Sequence, residues 1–90
     1  MKCIVPYGGP DFYIKKEGVP KPLLHINGKL LVELTIFNRP WYGKVINDED
    51  MTFVLCNLNY GNDQFVKFLE NKHPCVSSAT FFYLLVLVMI

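Results

Sequence analysis

The sequence has almost no excess of charge of either sign. Nine Lys or Arg stand against eight Asp or Glu, a formal net of +1, so no global field steers the chain onto DNA, RNA or an anionic membrane surface. Nucleic acid is therefore not an expected partner. Cysteine is sparse: Cys3, Cys56 and Cys75 are odd in number and widely spaced. No signal-peptide pattern occupies the N-terminus either, because Lys2 is followed by only a few apolar residues before Pro6 and Gly8. A reducing cytoplasm is the expected compartment, with each cysteine read as a small buried hydrophobe. Histidine is rarer still. His25 and His73 share no short ligand spacing with any pair of cysteines, so the zinc templates are not met and no metal ligand is assigned. Long apolar runs are missing except at residues 81–90, and that run falls short of the roughly 18 to 20 residues that span a bilayer. A membrane-spanning helix is not expected there; a buried central strand is.

What the chain does have is a composition built to fold, with 51% hydrophobic, 14% aromatic and 19% charged residues. Ninety residues suffice for a single domain with a modest core and leave no room for a second. Lys2 to Val5 is a short apolar, β-branched run that meets Pro6-Tyr7-Gly8-Gly9-Pro10, a cluster no helix crosses, so a strand is expected to enter a glycine-bearing loop. Residues 11–22 show no sustained period and read as an ordered loop. Leu23 to Ile26 reads as a short extended piece. Asn27 then reads as the N-cap of a helix from Gly28 to Phe37, with Leu30, Leu31, Leu34 and Phe37 on one face.

Asn38-Arg39-Pro40 ends that helix. Arg39-Pro40-Trp41-Tyr42 is expected to be an aromatic loop anchored on the helices, and Asp48-Glu49-Asp50 a solvated loop. Met51 to Leu55 is an apolar run without alternation, which suggests a strand buried on both faces. Asn62 or Asp63 is expected to cap a second helix that turns Phe65, Val66, Phe68 and Leu69 inward and Lys67 and Glu70 outward. His73-Pro74 stops it, and a third extended run begins at Cys75. Strand, helix, strand, helix, strand calls for a Rossmann-like α/β arrangement, a parallel sheet with flanking helices joined by right-handed crossovers. The abrupt apolar end gives the further expectation that residues 1–90 stop before this fold is complete.

The chemistry-bearing stretch is Ile4-Val5-Pro6-Tyr7-Gly8-Gly9, followed by Val19-Pro20-Lys21-Pro22-Leu23-Leu24 and Ile26-Asn27-Gly28-Lys29. Paired glycines let a backbone approach a phosphate or base closely. Pro20 and Pro22 fix φ on both sides of Lys21, so its ammonium is offered from a stiffened backbone, as suits a point charge that meets a phosphate. His25, among apolar neighbours, reads as structural.

This order of motifs resembles the N-terminal signature of the sugar-phosphate nucleotidyltransferases, in which a strand enters a glycine-rich loop and a Pro-Lys pair follows. The specific part of the resemblance covers residues 4–29, and Met51 to Leu69 is similar to the family's second strand and following helix. The resemblance implies a nucleotide-diphospho-sugar transferase fold. It also implies a transfer of a nucleotidyl group from a nucleoside triphosphate to a sugar 1-phosphate with Mg²⁺, releasing pyrophosphate. Carried over by position, Gly8 and Gly9 would form the nucleotide loop, and Lys21 would be the catalytic lysine that neutralises charge on the α-phosphate. The family's arginine position falls among Asp11, Phe12 and Tyr13, and its metal-binding aspartates lie beyond residue 90. The 90-residue chain by itself is therefore expected to be inactive. Two alternatives stand beside this reading: a non-catalytic nucleotide-binding or regulatory module, and a fragment of a nucleotide-sugar-dependent glycosyltransferase.

Overall fold

The computed structural model describes residues 2–81. Strand β1 (Cys3–Pro6) opens it, where the β-branched Ile4 and Val5 favour extended backbone. The segment expected as a plain loop holds a hairpin instead: β2 (Tyr13–Ile14) runs antiparallel to β3 (Val19–Pro20). A single 3-10 turn, Lys21–Leu23, follows with Pro22 buried inside it. A second hairpin, β4 (His25–Ile26) and β5 (Lys29–Leu30), then replaces the expected start of the first helix. Asn27 is not a helix cap. It sits at φ 52 with Gly28 at φ 82, the consecutive left-handed pair that the right-handed twist of a two-residue hairpin selects.

The helix begins only at Leu31 and widens over Glu33–Phe37 into a π-helical turn. The Asn38 N–H closes that turn on the Glu33 carbonyl at 2.8 Å. The Glu33 carboxylate reaches back to the Leu30 N–H at 3.2 Å, satisfying a donor that the helix itself leaves open. A 3-10 turn over Asp48–Asp50, closed by a capping box between Asn47 and Asp50, delivers the chain into β6 (Met51–Cys56). Helix α1 (Asn62–Lys72) follows, and β7 (Ser77–Phe81) is the last described strand. Gly61, not Asn62 or Asp63, occupies the cap position of α1, at φ 84. At the other end the His73 N–H bonds the Leu69 carbonyl at 2.7 Å just before Pro74 stops the helix.

The three longer strands form one parallel sheet in the order β1-β6-β7, with Val5 opposite Phe53 and Val54 opposite Ala79. The chain is thus a small mixed α/β domain. Strand β6 alternates rather than being buried evenly: Met51, Phe53 and Leu55 are fully buried, while Thr52 and Val54 are half-buried. The reason is that both crossovers pack on the same face. Phe53 meets Phe37 from the first crossover at 6.3 Å between ring centres and Phe65 from α1 at 5.1 Å. Val5, Phe12, Val32, Met51, Leu55 and Leu69 complete this core, and each large side chain so buried contributes about 1.5–3 kcal/mol. On the opposite face Ile4 is 70% exposed. Strand β7 lies at the edge of the described sheet with all five residues exposed; the expectation of a buried central strand concerns the apolar run, residues 81–90. Of that run only Phe81 is described; residues 82–90 lie outside the described residues. Among the described residues no helix is long and apolar enough to cross a membrane.

Candidate functional site

A parallel sheet presents its chemistry where the carboxyl ends of its strands release the chain into loops. Here β1 empties into Tyr7-Gly8-Gly9-Pro10, and the Tyr7 N–H still bonds the Val54 carbonyl of β6 at 2.8 Å, so the loop starts from a fixed point. Beside it opens a cavity of about 260 Å³. Tyr7, Phe12, Pro22 and Leu31 give it apolar walls, and Thr35 looks in from the π-helical turn. Gly9, Asp11 and Lys21 supply its polar rim.

The hairpin β2–β3 explains how Lys21 reaches this rim. The Lys21 N–H bonds the Phe12 carbonyl at 2.6 Å, tying the residue after β3 to the one before β2. Its Nζ lies 3.6 Å from Asp11 Oδ2, and both side chains are at least half exposed. Tyr7 forms the inner wall, its ring 5.3 Å from Phe53 and 5.5 Å from Phe65. Burial pushes its hydroxyl up from the ordinary tyrosine value, with the Thr35 side chain pulling in the other direction. Tyr7 accordingly stays a neutral hydroxyl at physiological pH.

Of the three residues singled out from the sequence, Gly9 and Lys21 meet at this cavity. Gly8 does not line it. A Cβ on Gly8 would stand 2.7 Å from the Phe81 ring and 3.6 Å from the Cys56 side chain, so this glycine lets β7 approach the loop. A Cβ on Gly9 would stand 3.2 Å from the Asp11 carboxylate. Neither position uses the left-handed backbone that occurs at Gly18, Gly28, Gly43 and Gly61; what the pair provides is close approach.

The turn after β6 and the first turn of α1 hold the site together, through contacts the sequence did not show. Asn59 Nδ2 donates to the Gly9 carbonyl at 2.7 Å, and Gln64 Nε2 donates to the Gly18 carbonyl at 3.4 Å. Gly61 lies against the hairpin, where a Cβ would come within 2.7 Å of the Tyr13 ring and 2.9 Å of Pro20. The one available signal was Asn-rich, Gly-containing composition between a strand and a helix, which marks a turn but names no partner.

Lys21 offers three donors and a positive charge, which suits a phosphate oxygen. The chain's single arginine, Arg39, is directed elsewhere, its Nε donating to the Thr35 carbonyl at 3.1 Å. Among the described residues no group of three or more His, Cys, Asp or Glu could hold a metal ion. Asp11 does not fit a Mg²⁺ site, since its carboxylate faces the Lys21 ammonium and, among the described residues, no second carboxylate lines the cavity. The cavity thus combines apolar walls with one ammonium and one carboxylate at its rim among the described residues.

The amino end of the sheet carries a second polar cluster. Asp48 is not the solvated residue its acidic neighbours suggest. The Tyr42 hydroxyl donates to Asp48 Oδ1, and His73 Nδ1 lies 3.2 Å from Asp48 Oδ2 and 3.4 Å from the Tyr42 oxygen. The His73 ring stacks on Phe37 at 3.7 Å with an interplanar angle of 5°. Burial, helped by the Asp48 hydrogen bond and by the charges of Asp48 and Glu49, pushes the Tyr42 hydroxyl up to about 12. The loop bearing Trp41 and Tyr42 packs against the core as the sequence leads one to expect.

Comparison of the chain with protein-family models, with curated proteins and with solved structures finds no match. The function must be argued from the cavity's own residues.

Proposed function

We propose that this chain is a nucleotidyltransferase-like α/β domain whose Gly9–Lys21 cavity binds the phosphate-bearing part of a nucleotide or sugar phosphate, and that it binds without turning over. The observation that carries this reading is the meeting of Gly9 and Lys21 on one cavity rim at the carboxyl edge of a parallel sheet. That is where open α/β sheets take nucleotides. The strand order β1-β6-β7, with both crossovers on one face, also suits the opening of a Rossmann-like sheet.

Lys21 would neutralise phosphate charge, the close approach at Gly9 would admit the ligand to the backbone, and Tyr7 and Phe12 would flank a ring. Full transfer of a nucleotidyl group to a sugar 1-phosphate needs more. A developing pyrophosphate requires further cations, normally Mg²⁺ held by carboxylates, and the Lys21–Asp11 pair favours the non-catalytic binding module over that complete reaction. A glycosyltransferase fragment would build on a similar sheet, but nothing at this rim calls for it.

The test is a thermal-shift titration of the chain with nucleoside mono- and triphosphates and with sugar phosphates. The expected outcome is a concentration-dependent rise in Tm that disappears in Lys21→Ala. A rise that Lys21→Ala leaves untouched would remove this cavity as the binding site.

A further inference from the structure

We infer that the cavity selects ligands carrying a single phosphate and a free hydroxyl on nearby carbons of one sugar, and that Asp11 is the residue that turns polyphosphates away. The inference rests on the phosphate-binding reading above and narrows its ligand class.

The charge at the rim sets the argument. Among the described residues Lys21 is the only cation lining the cavity and Asp11 the only anion, so their formal charges cancel. A triphosphate brings several negative charges into a region of no net charge, whereas one phosphate can be met by Lys21 alone. Asp11 is also placed to interfere. Its Oδ1 lies where a Cβ on Gly9 would be only 3.2 Å away, so the carboxylate stands beside Gly9 on the rim, where a second phosphate reaching past Lys21 would meet a like charge. Its Oδ2 lies 3.6 Å from the Lys21 ammonium.

The same geometry makes Asp11 useful to a different ligand. An ionised carboxylate only accepts hydrogen bonds, and an ammonium only donates them. Side by side at 3.6 Å, the two match a phosphate ester and a hydroxyl on nearby carbons of one sugar. Both side chains are well solvated, and exposed ion pairs of this kind are weakly held, so a ligand offering a better partner to each can part them. The size agrees. A cavity of about 260 Å³ lies just below the range of about 300–1,000 Å³ typical of ligand sites, with Tyr7, Phe12, Pro22 and Leu31 as apolar walls for a ring.

The experiment is an NMR titration of the ¹⁵N-labelled full chain with ribose 5-phosphate and with inorganic tripolyphosphate at matched ionic strength, in the native sequence, Asp11→Asn and Lys21→Ala. In the native chain ribose 5-phosphate should shift the Gly9 and Lys21 amides and bind more tightly than tripolyphosphate. Asp11→Asn should reverse that order by raising tripolyphosphate affinity about tenfold, the effect of one unfavourable charge contact at a solvated rim. Lys21→Ala should abolish both responses. Tripolyphosphate binding the native chain at least as tightly, with Asp11→Asn changing neither ligand, would overturn the selectivity while leaving the phosphate site in place. Ribose 5-phosphate binding unaffected by Lys21→Ala, or no binding of either probe, would overturn the site and the selectivity together.

Discussion

The two ends of the parallel sheet use similar chemistry for opposite purposes. At the carboxyl end Lys21 pairs with Asp11, and their side chains are 53% and 79% exposed; at the amino end His73 meets Asp48, and theirs are 17% and 21% exposed. Water can replace either partner of the first pair at small cost. The second is interlocked with the Tyr42 hydroxyl and pressed against the Phe37 ring, so removing one member strands the others where water reaches them poorly. The solvated pair is free to exchange partners, and the one that clamps the helix end to the sheet is kept largely from water. Burial around the carboxylate, more than its residue type, separates a yielding ion pair from a structural clasp.

The largest expected difference comes from deleting the carboxylate at the dry end. Asp48→Ala leaves the Tyr42 hydroxyl and the His73 ring without their shared acceptor and should lower stability by about 1–3 kcal/mol in urea unfolding. Loss of less than about 0.5 kcal/mol, the usual range of a surface substitution, would erase the distinction between the two ends. A smaller effect should appear on raising the pH. The folded value of Tyr42 lies at about 12, above the ordinary 10.0, so the folded chain holds this proton where the unfolded chain has released it. The stability tied to Tyr42 is fully present below pH 10 and lost progressively between about pH 10 and pH 12. Unfolding midpoints measured across that range should fall in the native chain and fall less steeply in Tyr42→Phe. Tyr7, also raised, adds a component of the same sign that Tyr42→Phe leaves in place. The smallest effect belongs to the wet end, where Asp11→Asn and Lys21→Ala should each change stability by no more than about 0.5 kcal/mol. A larger loss at either position would mean that the rim is part of the scaffold.

How far the sequence foretold this molecule varied with the range of the interactions involved. Strands β1 and β6 and helix α1 were legible because their signals are local: β-branched runs in the strands, and Phe65 and Leu69 at helical spacing in α1. The middle of the chain was less so. Asn27-Gly28 serves equally as a helix start or as a hairpin turn, and what decides between them is the pairing of His25 with Leu30 and Ile26 with Lys29, strands too short to show a period. The even apolar run of β6 suggested cover on both faces, since nothing in it says that both crossovers pack on one side. At the site, Gly9 and Lys21 stood out as residue types. Thr35 and Asn59 did not, because their roles come from contacts with distant segments. Asp48 was misread for the same reason: its acidic neighbours point to solvent, while its partner His73 arrives from the far end of α1.

Gly61 touches no part of the cavity, yet the hairpin that leads into Lys21 rests against it, with Tyr13 and Pro20 on the spot a Cβ would fill. The packing of that hairpin is thus set from behind by one hydrogen atom. Any heavier side chain there would have to displace the Tyr13 ring and Pro20, so the seat of the hairpin that leads into Lys21 is set at a position outside the cavity.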